Sequence, residues 1–417
     1  MTSSRCFALI AGLVLIASVP AQKGRRQAKS LEDVVPPPPK VFLPDAKALT
    51  AESAILIDEI SGKVLWSKNA DVPRFPASTT KIMTALLLIE RCAPEEVVIA
   101  PADIEKTGEA SLHLKPGETL TVRDLLWGIL LRSGNDGCVA AAVHCAGSVE
   151  KFADIMNARA RQLGCTNTNF RNPNGLKDPN HVVSAHDLAL IAREAMRYPE
   201  FREIVKTRRH EITRSINQAD RFMISKNKLL DADKTMDGIK TGFTIPAGQC
   251  FVGSATRGGN RFITVVLKST TWVQDTQSLL NWGFNQFEVR RPITAGQSVA
   301  KVIVGATEVE AGPVRAVRNV AAKGSPDDLH TEAIMVKSLR APVVRGQQVG
   351  TLKVSDSTGW TDEIPLVALS SVAASSPSAS SKVPMVLGGA GLVGLWAGIR
   401  RRRNRMYGKI LSSNRFL

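Results

Sequence analysis

Ser78-Thr79-Thr80-Lys81-Ile82-Met83-Thr84-Ala85-Leu86-Leu87-Leu88-Ile89-Glu90-Arg91 opens with a hydroxyl and an amine three residues apart and continues as an apolar run. Ile82, Met83, Ala85, Leu86 and Ile89 make Thr79 to Arg91 a helix that is apolar nearly all round, the pattern of a buried element. Residues three apart share a helix face, so Ser78 and Lys81 meet. A neutral lysine takes the hydroxyl proton and makes the serine a nucleophile. Neutrality at ordinary pH requires burial or a nearby cation, and the apolar run supplies the burial. The positive end of the helix favours negative charge developing at Ser78.

On either side the periodicity changes. Upstream, Ser53 to Ile57 and Lys63 to Trp66 read as strands joined across Ser61-Gly62. Downstream, a second helical region runs from 121 to 146 and breaks at Ser133-Gly134-Asn135, and Lys151 to Leu163 and Ala185 to Arg197 read as amphipathic helices. From Asp237 the pattern becomes strands: Gly238 to Gly242, Cys250 to Thr256 and Phe262 to Lys268, with Arg257-Gly258-Gly259-Asn260 as a hairpin turn. Helices in the middle and strands at both ends predict an α+β domain over 41–288. After it, short valine-rich runs separated by Gly and Pro (Val299 to Val304, Pro313 to Val317, Ala333 to Val336, Gly350 to Val354, Ile364 to Leu369) predict a small all-β domain over 290–369.

The 417 residues carry a net charge of +16, which suggests nucleic acid until it is located. Residues 1–31 hold +5 and residues 400–417 hold +7, which leaves +4 for the rest. With aromatics at only 5%, a stacking platform for nucleic acid is excluded. The basic ends read as addresses. Met1 to Ala21 has the charged start, apolar stretch and small-residue end of a secretory signal peptide, and 22–40 is a Pro-rich linker. At the other end, 370–382 is a Ser/Ala-rich stalk and Val383 to Ile399 is free of charge, followed by Arg400 to Arg403. As a helix that run spans roughly 25 Å against a hydrocarbon core of about 30 Å, and snorkelling arginines make up the difference. The expectation is a C-terminal transmembrane helix with 400–417 as a cytoplasmic tail and the body outside the membrane. An interfacial helix and a processed sorting tail are the alternatives.

Cysteine leaves more open. Without Cys6, five remain (Cys92, Cys138, Cys145, Cys165, Cys250), and Cys138 and Cys145 lie two helical turns apart, too far to bridge each other. Disulfides and buried thiols are both compatible with this spacing. No CxxC or HExxH occurs and the six histidines have no ligand spacing, so no metal and no cofactor is expected. His113, His144, Asp187, Trp127 and Trp282 read as structural.

The Ser-x-x-Lys spacing alone decides nothing, because Ser148-Val149-Glu150-Lys151 and Ser225-Lys226-Asn227-Lys228 share it. Lys106-Thr107-Gly108 likewise competes with Lys240-Thr241-Gly242, and Ser215-Ile216-Asn217 with Ser133-Gly134-Asn135. Only Ser78/Lys81, then Ser133/Asn135, then Lys240/Thr241/Gly242 combine in order, each in a matching context. That set resembles the penicillin-recognising serine enzymes, whose motifs are S-x-x-K, S-x-N and K-T-G. Leu114-Lys115-Pro116-Gly117-Glu118, Leu131 to Asp136, Asn172-Pro173-Asn174-Gly175-Leu176, Asp237 to Gly242 and Leu279 to Phe284 are similar to the low-molecular-mass D-alanyl-D-alanine carboxypeptidases. The likeness covers roughly 45–288, and members of this branch often add a small β domain and a C-terminal anchor.

The resemblance implies roles. Ser78 attacks the penultimate D-alanine carbonyl with Lys81 as base, and Ser133 passes protons toward the leaving amine. Asn135 holds the substrate amide, Lys240, Thr241 and Thr244 attract the terminal carboxylate, and Gly242 lets substrate lie along the strand edge. The N–H groups of Ser78 and Phe243 form the oxyanion hole. The implied partners are the peptidoglycan stem peptide, β-lactam antibiotics as covalent inhibitors and the membrane, on the periplasmic side. Two departures stand out. Relatives commonly carry an arginine in the loop before the Leu-Leu-x-Trp-Gly-Phe segment, where that loop here, Lys268 to Ser278, has Lys268 and no arginine, and an apolar Phe243 follows the third motif. A DD-endopeptidase becomes more plausible for the first reason. A serine β-lactamase is the nearest rival, but Asp136, Glu150 and Asp154, the acids between Asn135 and Asn174, lack its Glu-x-x-Leu-Asn context. A wall-binding protein without activity predicts no covalent adduct on Ser78.

Overall fold

The computed structural model describes residues 49–374; the stretches read as signal peptide, Pro-rich linker, apolar C-terminal run and basic tail lie outside them. Two compact units divide the described residues: one holds 49–295, 315–332 and 353–364, the other 296–314, 333–352 and 365–374.

In chain order the elements begin with strands β1 (Ser53–Asp58) and β2 (Val64–Lys68), then a short 3₁₀ turn, Ala77–Thr80, that leads into helix α1 (Lys81–Arg91). A small hairpin, β3 (Val97–Ile99) with β4 (Thr119–Thr121), precedes α2 (Val122–Trp127), a wide turn over Gly128–Arg132, α3 (Asn135–Ala146) and α4 (Val149–Gln162). Helices α5 (Ala185–Ala195) and α6 (Pro199–Lys206) follow, then the hairpin β5 (Arg209–Glu211) and β6 (Phe222–Ile224) and the short α7 (Leu229–Ala232). Strands β7 (Met236–Thr244), β8 (Gly248–Arg257) and β9 (Asn260–Ser269) and helix α8 (Trp272–Gln286) complete the α+β part of the fold. The rest is all β: β10 (Phe287–Ile293), β11 (Ala300–Val304), β12 (Thr307–Pro313), β13 (Val317–Ala322), β14 (His330–Met335), β15 (Gln348–Ser355) and β16 (Thr361–Ala368).

The main sheet is antiparallel in the order β2-β1-β9-β8-β7, so the two ends of the α+β part meet where β1 pairs with β9. Side chains alternate along a strand, and both faces of β1 are covered. Ile55 and Ile57 pack with the helices α1 to α5, while Ala54 and Leu56 join Phe251, Phe262 and the α8 residues Leu279 and Leu280. Gly283 explains how α8 comes so close, because a Cβ there would stand 2.5 Å from Leu56 Cδ2. At full burial each such aliphatic side chain contributes about 1.5–3 kcal/mol, which makes this two-sided sheet the rigid floor of the fold.

The expected elements differ from the observed ones mainly at boundaries. α8 begins at Trp272, inside the stretch expected to be a loop to Ser278. In the β region the run expected at Pro313 to Val317 is instead the link between β12 and β13. β12 was hidden because Glu308 and Glu310 alternate outward with Val309 and Ala311 inward, so no continuous apolar run betrays it. The remaining five-stranded sheet has the order β11-β12-β16-β15-β14, and β10 pairs separately with β13. No helix among the described residues is long and apolar enough to cross a membrane.

Candidate active site

Ser78 sits on the 3₁₀ turn that feeds α1, and Lys81 is the first residue of that helix. The turn is held from both sides. Gly242 on β7 lies so close that an added Cβ would stand 3.1 Å from the backbone nitrogen of Ser78. Gly175 backs it: a Cβ there would fall 1.8 Å from the Ala77 carbonyl oxygen, and its φ of +85° already favours glycine. Thr80 is fixed by His181, whose Nδ1 accepts the Arg171 N–H at 3.0 Å. The ring proton is therefore on Nε2, which donates to Thr80 Oγ1 at 2.9 Å. Burial pushes His181 down to about 4, so it stays neutral and keeps that tautomer.

Lys81 is fully buried, and its Nζ lies 2.9 Å from Ser78 Oγ, 2.7 Å from Asn135 Oδ1 and 2.7 Å from the Asn174 carbonyl oxygen. An ammonium has three protons, one for each. Asn135 Nδ2 donates to Gly108 O at 2.9 Å, which fixes its amide with the oxygen toward Lys81. Once neutral, Lys81 keeps two N–H bonds on these two carbonyl-type acceptors and turns its lone pair to Ser78 Oγ. Burial, helped by the Lys226 charge, lowers Lys81 from 10.5 to about 8. At pH 7 that raises the neutral fraction from roughly one in 3,000 to roughly one in ten.

The second motif arrives through an unusual turn. Ser133 takes a left-handed φ of 69° between the wide turn and α3. Leu112 fills the space left by three glycines around it: a Cβ on Gly128, Gly134 or Gly137 would meet its side chain at 2.6, 2.4 or 2.9 Å. Buried Asp136 holds the facing loop by accepting from Ser111 Oγ and the N–H groups of Leu112 and Leu114. From the sheet side, Lys240 Nζ donates to Ser133 Oγ at 3.1 Å and to the Thr241 carbonyl. Burial, then the charges of Lys81 and Lys226, hold Lys240 well below its ordinary range.

Ser78, Ser133, Thr241, Gly242 and Phe243 line one cavity of about 510 Å³. Lys81 and Lys240 stand behind its wall, bonded to Ser78 and Ser133, and Asn135 is bonded to Lys81 behind them. Phe243 is exposed at the rim, whereas Thr244 Oγ1 accepts the Ala247 N–H and serves the turn after β7. Lys268 pairs with Glu52 at 2.7 Å, outside the cavity; the positive charges in the wall are Lys226 and Lys228. Sequence reasoning missed both, and missed Asn174 as an acceptor for Lys81. The nearby thiols are not competing nucleophiles, since burial pushes Cys138 and Cys250 up to about 11.

The rival motifs have structural uses. Ser148 caps α4 by accepting the Lys151 N–H, and Ser215 Oγ accepts the Thr119 N–H. Gly108 of Lys106-Thr107-Gly108 supplies the carbonyl that orients Asn135.

Residues 40–271 match the family described as D-alanyl-D-alanine carboxypeptidase. The chain belongs to that family. Residues 287–374 match the C-terminal domain of penicillin-binding protein 5. The D-alanyl-D-alanine carboxypeptidase DacF of Bacillus subtilis is 32% identical over 374 residues, 86% of this chain and 92% of the relative. DacA of Escherichia coli is 35% identical over 353 residues, 80% and 86% of the two chains. Among solved structures, penicillin-binding protein 5 from Haemophilus influenzae superposes with a TM-score of 0.64 at 30% identity, covering 78% of this chain and 98% of that one. The fold is thus the α+β DD-peptidase fold followed by an all-β domain.

Proposed function

We infer that this family member is a serine-type D-alanyl-D-alanine carboxypeptidase that removes the last D-alanine from peptidoglycan stem pentapeptides and is acylated by penicillin. The observation that carries this is the buried Lys81, which has no carboxylate partner among the described residues and is aimed at Ser78 between two fixed carbonyl-type acceptors. Lys81 takes the Ser78 proton as Oγ bonds to the penultimate D-alanine carbonyl carbon. The oxyanion is held by the N–H groups of Ser78 and Phe243. The C–N bond then breaks, Ser133 passes a proton to the departing D-alanine amine, and Asn135 holds the substrate amide. Water attacks the ester, releases the shortened stem as a carboxylic acid and returns the proton to Ser78.

Lys240 and Thr241 attract the terminal carboxylate, with Lys226 and Lys228 adding positive charge where the 269–278 stretch has no arginine. Gly242 leaves room for substrate along the strand edge. The same acylation captures a β-lactam, whose ring amide stands in for the D-alanyl bond. Of the acids a β-lactamase reading relies on, Asp136 is spent on backbone N–H groups and Glu150 and Asp154 are exposed on α4. Export through 1–21 and anchoring through 383–399 complete the reading, supported by the signal-like start and by the uncharged run ahead of Arg400 to Arg403.

A synthetic pentapeptide ending in two D-alanines tests the activity. The wild type is expected to release D-alanine and to take up labelled penicillin, and Ser78→Ala to do neither. Equal release from both proteins ends the proposal. Release only from a crosslinked dimer, with none from the free pentapeptide, makes the enzyme an endopeptidase.

A further inference from the structure

We propose that Cys92 and Cys145 are joined by a disulfide in the working protein, a covalent bridge between the two helices that present Lys81 and Asn135. Cys92 is the residue at which α1 ends, and Cys145 lies in the last turn of α3. At their other ends α1 starts with Lys81 and α3 with Asn135, joined by the 2.7 Å hydrogen bond. The two helices therefore lie side by side in the same direction, with one contact at each end. At the far end the two Sγ atoms are 2.8 Å apart, and both residues are only half-buried. Thiols held this close reach the roughly 2.05 Å of a disulfide by moving less than about 1 Å.

The other described cysteines are placed differently. Cys138 lies near the Gly134 carbonyl, Cys165 near that of Asp187 and Cys250 near those of Phe75 and Ala247, each thiol buried. One pair and three solitary thiols resolve the odd count that the sequence leaves open.

The close contact also perturbs the two thiols, in opposite directions. A hydrogen bond from Cys145 holds the Cys92 thiol below its ordinary range, against burial and the Glu96 charge and with the help of Arg91. The same contact pushes Cys145 up, and burial adds to it. Either thiol can start the exchange as the thiolate, and the steps are the same with the two exchanged. With Cys92 first, its sulfur bonds to one sulfur of an external disulfide, a thiol–disulfide oxidant of the exported compartment, and expels the other as a thiolate. Cys145 then loses its proton and attacks the Cys92 sulfur of the mixed disulfide, displacing the oxidant's second thiolate. Two protein thiols are oxidised to one disulfide and the oxidant is reduced to two thiols.

A metal is the competing occupant. Single donor atoms of Cys92, Glu96 and His144 lie within 4.8 Å of one another, with His144 Nε2 3.1 Å from Glu96 Oε2. That set has three members and does not include the Cys145 sulfur, whereas a structural zinc site takes four ligands.

The closed loop runs from 92 to 145 and contains Ser133, Asn135 and the segment that Asp136 organises. Its closure in the unfolded chain makes the bridge stabilising. The test uses full-length protein exported by a host with an oxidising envelope and purified without reductant or chelator. Alkylation in denaturant followed by peptide mass spectrometry is expected to find Cys138, Cys165 and Cys250 blocked, and 92 and 145 linked until reduction. Reductant is expected to lower the wild-type unfolding midpoint by roughly 5–15 °C and to leave Cys145→Ser unmoved at the lower value. Alkylation of Cys92 and Cys145 without reduction overturns the proposal. So does one equivalent of zinc released by chelator, or an equal effect of reductant on wild type and variant.

Discussion

Arg214 and Lys81 are both buried cations in the same unit, and their surroundings are opposite. Arg214 meets Glu118 in a two-pronged pair, Nε to Oε1 at 2.8 Å and a terminal nitrogen to Oε2 at 3.0 Å, and its other donors reach the Leu112 and Asp220 carbonyls. Glu118 also accepts from the N–H groups of Lys115 and Asn217, so every charge has a counter-charge and every polar atom a partner. Among the described residues Lys81 bonds only to neutral acceptors. A buried pair of ions stays ionised; a buried cation among neutral dipoles gives up its proton more easily. The first arrangement fastens the Lys115–Thr119 segment to the 214–220 loop. The second suits a base, the role proposed for Lys81.

The largest expected effect comes from removing that base. Lys81→Met keeps the apolar stem and loses the amine, and labelled-penicillin acylation is expected to slow by about 10³-fold or more with the circular dichroism spectrum unchanged. Wild-type acylation rates in this variant would show that another group, such as Lys240, takes the Ser78 proton.

The paired site should respond in stability instead. Glu118→Ala takes away the two-pronged partner of Arg214 and leaves it only the Asp220 carboxylate, 3.8 Å away and shared with Arg132, and is expected to cost about 3 kcal/mol in urea unfolding. Replacing both residues by apolar ones of similar size should restore most of it. The pH dependence has a definite sign. Glu118 is below its ordinary value because the Arg214 pair and two backbone N–H groups outweigh the burial that raises it. Its stabilisation is therefore complete above the unfolded-state value near 4.5 and is lost as pH falls through the folded one. A double variant that unfolds at the same acid midpoint as wild type would remove Glu118 from that account.

The same contrast explains what was legible beforehand. Ser78, Lys81, Ser133, Asn135 and Lys240 were picked out because their three motifs occur in the order of a known family, each in a matching context, and the structure brings them together; the long strands β7 to β9 carried their own alternation. Asn174 was not, because it acts on Lys81 through a backbone carbonyl, and a carbonyl has no letter. Lys226 was passed over inside Ser225-Lys226-Asn227-Lys228, a rival Ser–Lys spacing that lies in the link between β6 and α7 and opens no apolar helix, with Ser225 Oγ accepting the Asn227 N–H. Its value lies in where the β6–α7 connection delivers it, which only tertiary structure determines. The helical start at Trp272 was obscured because Ser269, Thr270 and Thr271 read as loop, while buried Asp275 ties that corner to Thr50 and Ala51.

Lys226 sharpens the comparison with the smallest effect. Below about 8 the acylation rate should rise close to tenfold per pH unit as Lys81 loses its proton, and should level off above it. The Lys226 charge contributes to that low value, second to burial among the influences that lower it. Lys226→Gln removes the charge and keeps a side chain in the cavity wall, so the midpoint should move upward and the rate at pH 7 should fall a few-fold. The high-pH plateau should not change, because the neutral amine and its geometry are the same. Acylation by a neutral β-lactam ester across pH 6–10 separates this from carboxylate binding, since the ester offers Lys226 no charge to attract. A lower plateau with an unmoved midpoint would mean that Lys226 acts on the ligand and that burial alone makes Lys81 a base.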